Sequence, residues 1–237
     1  MSAPALPTVP LGRALLVNGL LAFVAGYVDV VGFVALAGLF TAHVTGNFVL
    51  IGAGLAAQSA AGIIGKLLAL PTFVIAVAAT RLAVLSLERG GRSALRPLIA
   101  AELVFLALFM AVGLVARPVT SADAPIAIIA GLIGVAAMAI QNAKGRLILA
   151  NHAPTTIMTG NTTQVVIDIV DLLRSGTADR DAVRARLVRM APALVIFAVG
   201  ALLGALGYAV SSFWCLLVPI AALTVLVVTT PAPAGGS

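Results

Sequence analysis

Charge is what this sequence has least of. Only 9% of its 237 residues are Asp, Glu, Lys or Arg, against roughly 25% in a soluble domain. So few charges cannot cover a water-exposed surface, which excludes a soluble enzyme. A hydrophobic content of 62% excludes a disordered chain. Cysteine is limited to Cys215, so a disulfide-stapled secreted module is excluded as well. Cys215 lies in an apolar segment and reads as a small packing residue. Histidine is limited to His43 and His152. Both sit near the ends of apolar segments, where an interfacial position suits them better than metal binding. No ligand cluster exists for a metalloenzyme or haem protein, so no cofactor or metal is expected. Phosphate-loop, nucleophile-elbow and zinc-protease signatures are missing, and no enzymatic activity is expected. An intramembrane protease using Asp29 and Asp168 has no motif behind it. Strict period-2 alternation is also missing, which argues against a β-barrel.

What is present is apolar length. Mean hydropathy is +1.18. Apolar segments run over Ala14–Phe40, Thr45–Ala57, Leu67–Leu87, Leu98–Val115, Ile126–Ala150, Thr155–Leu173, Pro192–Val210 and Phe213–Val228. This is the pattern of an all-α polytopic membrane protein, one membrane domain over residues 1–237. A helical span needs about 20 residues, and six of the segments qualify. Thr45–Ala57 is short. Thr155–Leu173 carries Thr162, Thr163, Gln164, Asp168 and Asp171. Neither suits a lone lipid crossing. The first run extends past a signal-peptide core and contains Asp29, so it reads as an uncleaved span.

The basic residues then choose a topology. Net charge is +6, which in a soluble protein would suggest nucleic acid. Here the cations sit between apolar runs with no interleaved aromatics, so no nucleic-acid partner is expected. If all eight segments cross, eight basic residues lie inside and six outside. If the two weak segments enter and leave on one side, only Lys66 and Arg117 of the 14 remain outside. The positive-inside rule prefers the second arrangement. It gives six transmembrane helices plus two re-entrant or broken helices, with both termini cytoplasmic; the alternative is eight crossing helices in parallel repeats.

Smaller features read structurally. Pro71 and Pro192 fall near span starts. Gly200 and Gly204 form a GxxxG packing pair. Phe213 and Trp214 suit an interfacial anchor. Arg81 and Glu102 are placed to snorkel. Arg174–Arg189 reads as a solvated basic loop, and Pro231–Ser237 as a disordered tail.

The most informative feature is a duplication. His43-Val44-Thr45-Gly46-Asn47 recurs as Ile157-Met158-Thr159-Gly160-Asn161, 114 positions later. Each Thr-Gly-Asn follows a long span with a polar centre, Tyr27 and Asp29 in one half and Gln141 and Asn142 in the other. The halves 13–117 and 124–230 therefore read as two copies of one unit. Three crossings per unit make the copies inverted, as in many secondary transporters.

Glycine breaks a helix at little cost, and Thr or Asn can cap the next one. A helix start inside the membrane offers a positive dipole end to an anion or polarised group. Thr45, Gly46, Asn47, Thr159, Gly160 and Asn161 are thus candidate solute-binding residues, with Gln141 and Asn142 completing the lining. The alternative is a structural break filling space between spans. Asp29 is costly in mid-membrane. It is a candidate coupling or gating carboxylate, or else a strut bonded to Asn142 or a neighbouring helix start. Asp168 and Asp171 share a helix face, lining an approach to the pathway or facing cytoplasm.

The segments Ala25-Gly26-Tyr27-Val28-Asp29, His43–Asn47, Gln141-Asn142 and Pro154–Asn161 resemble the YoaK-like family over about Arg13–Val228. That resemblance implies a bacterial inner-membrane protein with six spans, and implies no substrate or catalytic residue. The expected function is a secondary transporter or channel for a small polar or anionic solute. The alternative is a membrane scaffold or partner subunit. Expected partners are the lipid bilayer, an unidentified solute and, as an open option, a second copy of the chain.

Overall fold

The structure is a computed structural model describing residues 11–58, 61–150, 154–174 and 179–230. His152 and the tail after Thr230 lie outside the described residues. The described residues form eight α-helices and one 3-10 turn. In chain order these are α1 (Leu11–Ala35), α2 (Gly46–Ala56), α3 (Ile63–Arg89), α4 (Leu95–Val115), α5 (Pro125–Leu147), α6 (Met158–Leu173), α7 (Arg180–Ser211) and α8 (Leu217–Thr229), with the turn at Ser212–Leu216. The chain is a polytopic, all-helical membrane protein. Each expected apolar segment forms a helix because backbone groups in lipid must be satisfied within their own segment.

Five helical stretches are long and apolar enough to cross a membrane, the last being Arg180–Thr229. That stretch is bent at Ser212, whose φ of 53° breaks the helix. The turn and α8 together rise about 30 Å, near the thickness of a hydrocarbon core.

α1 and α5 occupy the centre and are the most buried spans. α1 packs on α7, and α5 packs on α3. α2 lies on α3 and α6 on α7, while α4 contacts α5 and α8 contacts α1. Exchanging α1–α4 for α5–α8 turns each of these pairings into another of them. The α1–α7 crossing is very close. A Cβ on Gly26 would sit 2.2 Å from the Phe197 carbonyl oxygen. One on Gly200 would sit 2.4 Å from that of Phe23, and one on Gly204 2.6 Å from that of Tyr27. Without a hydrophobic driving force between helices in lipid, such small-residue contact is what holds spans together.

Several sequence expectations are corrected. Pro71 and Pro192 lie inside α3 and α7, not at their starts. Both helices begin earlier than their apolar runs, α7 because the polar stretch over residues 180–190 is rich in good helix formers. The carbonyl that each proline leaves without its N–H partner is a cost that packed membrane helices tolerate. Phe213 is fully buried, edge-on to Phe109 and Tyr208 in the notch left by Gly113, while Trp214 beside it is half exposed. Arg81 is exposed, but Glu102 does not snorkel. It forms a fully buried ion pair with Lys144 between α4 and α5. Burial of either charge without the other would be prohibitive. Lys144 therefore leaves the tally of loop cations. Arg186, placed in a loop by sequence, is helical and forks onto the buried Asp168, with contacts of 2.6 and 2.9 Å.

Candidate solute site at the paired helix breaks

α1 ends at Ala35, and the chain turns through Ala37 and Gly38 at positive φ. The following loop folds back beside α1. Asp29 fixes it there: its Oδ1 accepts the backbone N–H of Thr41 at 2.8 Å and of Ala42 at 2.7 Å. Its Oδ2 lies 2.6 Å from His43 Nδ1. The loop then enters α2, which leads back to α3. The Lys66 ammonium, in the first turn of α3, donates to the carbonyls of Ala37 at 2.7 Å and Ala61 at 2.9 Å. The end of α1 and the start of α3 are thus tied together at one end of the bundle.

The second half repeats the scheme with different chemistry. Gln141 donates its amide to the Leu21 carbonyl at 2.8 Å and to Thr155 Oγ1 at 3.0 Å. The segment before α6 is thereby held against α5. At the other end of α6, the Arg180 guanidinium reaches the Leu172 carbonyl at 2.8 Å. Lys66 and Arg180 stand 114 positions apart.

The two Thr-Gly-Asn segments meet. A cavity of about 280 Å³ is lined by Ala42–Thr45, by Thr156–Thr159, by Leu70 and Phe73 of α3 and by Asn142 of α5. Next to it lies a cleft of about 200 Å³ that shares Asn142, Thr156 and Ile157 and adds Gln141, Thr155 and Arg146. Thr45, Thr159, Asn142 and Gln141 therefore border these two spaces. Asn47 and Asn161 do not, being 1% and 2% exposed. Gly46 and Gly160 are not among the lining residues either. A Cβ on Gly46 would meet the Phe40 ring at 3.0 Å.

Neither break is capped in the expected way. Thr45 and Ile157 occupy the N-cap positions, and neither makes a side-chain cap bond. At α2, the N–H groups of Gly46, Asn47 and Phe48 turn back to the carbonyls of His43, Val44 and Thr45. The asparagines serve the loops instead. Asn47 accepts from the Phe40 N–H and donates to the Phe40 carbonyl, both at 2.9 Å.

His43 is the residue that sequence reasoning missed. It is half-buried, edge-on to Phe197 of α7 at 5.7 Å, and lines the cavity. Its Nδ1 bond to the Asp29 carboxylate orients the ring. The available signal was its place two residues before Thr45 in the duplicated segment. Among the described residues no group of His, Cys, Asp or Glu is arranged to hold a metal ion.

A family profile described as "Protein of unknown function (DUF1275)" matches residues 17–229. The chain is 29% identical over 188 residues to the UPF0700 transmembrane protein YoaK of Bacillus subtilis (strain 168), covering 79% of this chain and 80% of that protein. No solved structure matches.

Proposed function

Because the chain belongs to the DUF1275 family, whose description states no activity, we propose a function from its own site: a secondary transporter or channel for a small polar or anionic solute. The observation that carries this reading is the cavity bordered by both Thr-Gly-Asn breaks. A plain scaffold has no need to leave such a space between Thr45 and Thr159. The lining offers the threonine hydroxyls of Thr45, Thr156 and Thr159, the Asn142 amide and the His43 ring, with Arg146 in the adjoining cleft and, among the described residues, no carboxylate lining either space. Hydroxyl, amide and imidazole groups converging on one space from both halves suit a small anion.

The architecture we infer is a pair of inverted repeats, each with three crossings and one re-entrant helix, in a bacterial inner membrane. It is supported by the 114-residue offset between the starts of α1 and α5 and between the ends of α4 and α8, and by the helix pairings that exchange between halves. The Lys66 contacts, which close α2 onto the end of the bundle where α1 stops, support re-entry. The arginine-rich ends of α3 and α7 support cytoplasmic termini. Asp29 acts as the coupling or gating carboxylate by holding the loop before α2.

A second reading, a membrane scaffold or partner subunit, draws on Asn47 and Asn161, whose side chains are spent on internal bonds. Reconstituted protein decides between them. Vesicles carrying wild type should admit small anions such as nitrate or lactate, and Thr45→Val with Thr159→Val should reduce that flux at equal protein abundance. Absence of flux across the small-anion panel favours the scaffold.

A further inference from the structure

Tyr27, Asp29 and His43 are the titratable groups of the second half of α1 and the loop that follows it. Tyr27 is occupied, donating its hydroxyl to the Cys215 carbonyl at 3.0 Å. Asp29 is 3% exposed and its oxygens are directed to the N–H groups of Thr41 and Ala42 and to the His43 ring. His43 is the only one of the three that borders the cavity. With Nδ1 engaged by Asp29, the other ring nitrogen is the one left to exchange a proton. A carboxylate behind an imidazole fixes its tautomer and orients it.

We propose that His43 is the proton-carrying residue of the pathway, with Asp29 as its positioning residue, so that a small monoanion crosses together with one proton. This rests on the transport reading above. In the step, the neutral imidazole takes a proton on Nε2 from one side, and the anion enters the cavity beside the resulting imidazolium. Both leave to the other side, returning the neutral ring. Asp29 accepts the Nδ1–H hydrogen bond throughout, and no other reactant is required.

Among the described residues, the cavity lining brings no charged side chain to this ring. α7 presents Phe197, and α3 presents Leu70 and Phe73. α5 presents Asn142, and the segment leading into α6 adds Thr156 and Thr159. Arg146 borders the adjoining cleft, and Lys144 is held by Glu102.

The chain has two histidines, so nitrogen NMR on full-length His152→Asn protein in bicelles observes His43 alone. The ring should show an Nδ1–H tautomer in its neutral form. It should change protonation state within the accessible pH range, and the midpoint should rise when nitrate or lactate is added. A His43 that stays in one protonation state from acid to alkaline pH, or an Nε2–H tautomer, overturns the proposal. Proteoliposomes with a lumenal pH dye supply the second arm. An inward gradient of potassium nitrate or lactate, with the potential clamped, should acidify the lumen. His43→Gln keeps a donor for Asp29 but carries no proton, and it should abolish acidification at unchanged abundance. Anion flux without acidification, unchanged in His43→Gln, sinks the proton-carrying role and leaves the transport reading standing. No flux of either anion in wild type removes both.

Discussion

Asn161 donates its side-chain amide to the carbonyl of Pro154 at 2.6 Å, as Asn47 does to that of Phe40 at 2.9 Å. Each asparagine reaches back seven residues, and the two pairs are offset by 114 positions. The duplication thus survives as a bond as well as a sequence match. Each bond closes the irregular segment that precedes a short helix, where backbone groups have no ladder to join.

These two bonds should differ in weight. Asn47 also accepts from the Phe40 N–H, whereas Asn161 has Pro154 opposite it, which has no N–H. Asn47→Ala should therefore cost more than Asn161→Ala. Leaving a buried backbone group unpaired costs about 1–3 kcal/mol, and Asn47→Ala strands two. Thermal unfolding of the two variants in detergent checks the order.

The α1–α7 crossing should tolerate no side chain. Gly200→Ala or Gly204→Ala should destabilise by at least the roughly 1–3 kcal/mol of core overpacking, because the obstacle is backbone. Gly52→Ala, with nothing within 4 Å of a new Cβ, should be neutral or slightly stabilising. Melting temperatures of the three variants make the comparison. A harmless Gly204→Ala would contradict the crossing.

Glu102 and Lys144 should behave as a unit. Removing one charge leaves the other buried alone, at about 3–5 kcal/mol. Glu102→Gln and Lys144→Met should each lower stability strongly, and the double variant should recover most of the loss. A double-mutant cycle on melting temperature gives the coupling.

Topology is checked by labelling. In a Cys215→Ser background, Ala57→Cys should react from outside the cell and Arg92→Cys only from the cytoplasmic side. Position 66 is less useful, since Lys66 is 6% exposed.

The membrane class and the eight helical elements were legible in the sequence, because helix formation in lipid depends on local composition. The Gly200–Gly204 contact was legible for the same reason. Helix ends were less so: α3 and α7 run through their prolines, because neighbouring spans compensate for what a proline removes. The site was half legible. Thr45, Thr159, Gln141 and Asn142 reach the cavities, whereas Asn47 and Asn161 turn inward to their loops.

What only the tertiary structure decided are the partners of the scarce charges. Composition says that a buried charge needs one, but it does not say which. Glu102 finds Lys144 across two helices, Asp168 finds Arg186, and Asp29 finds the loop that carries His43. These pairings depend on how spans rotate and how far they shift along one another, which close packing at Gly26, Gly200 and Gly204 helps to set. The sequence determined that few charges would lie inside, and the fold determined which group each of them meets.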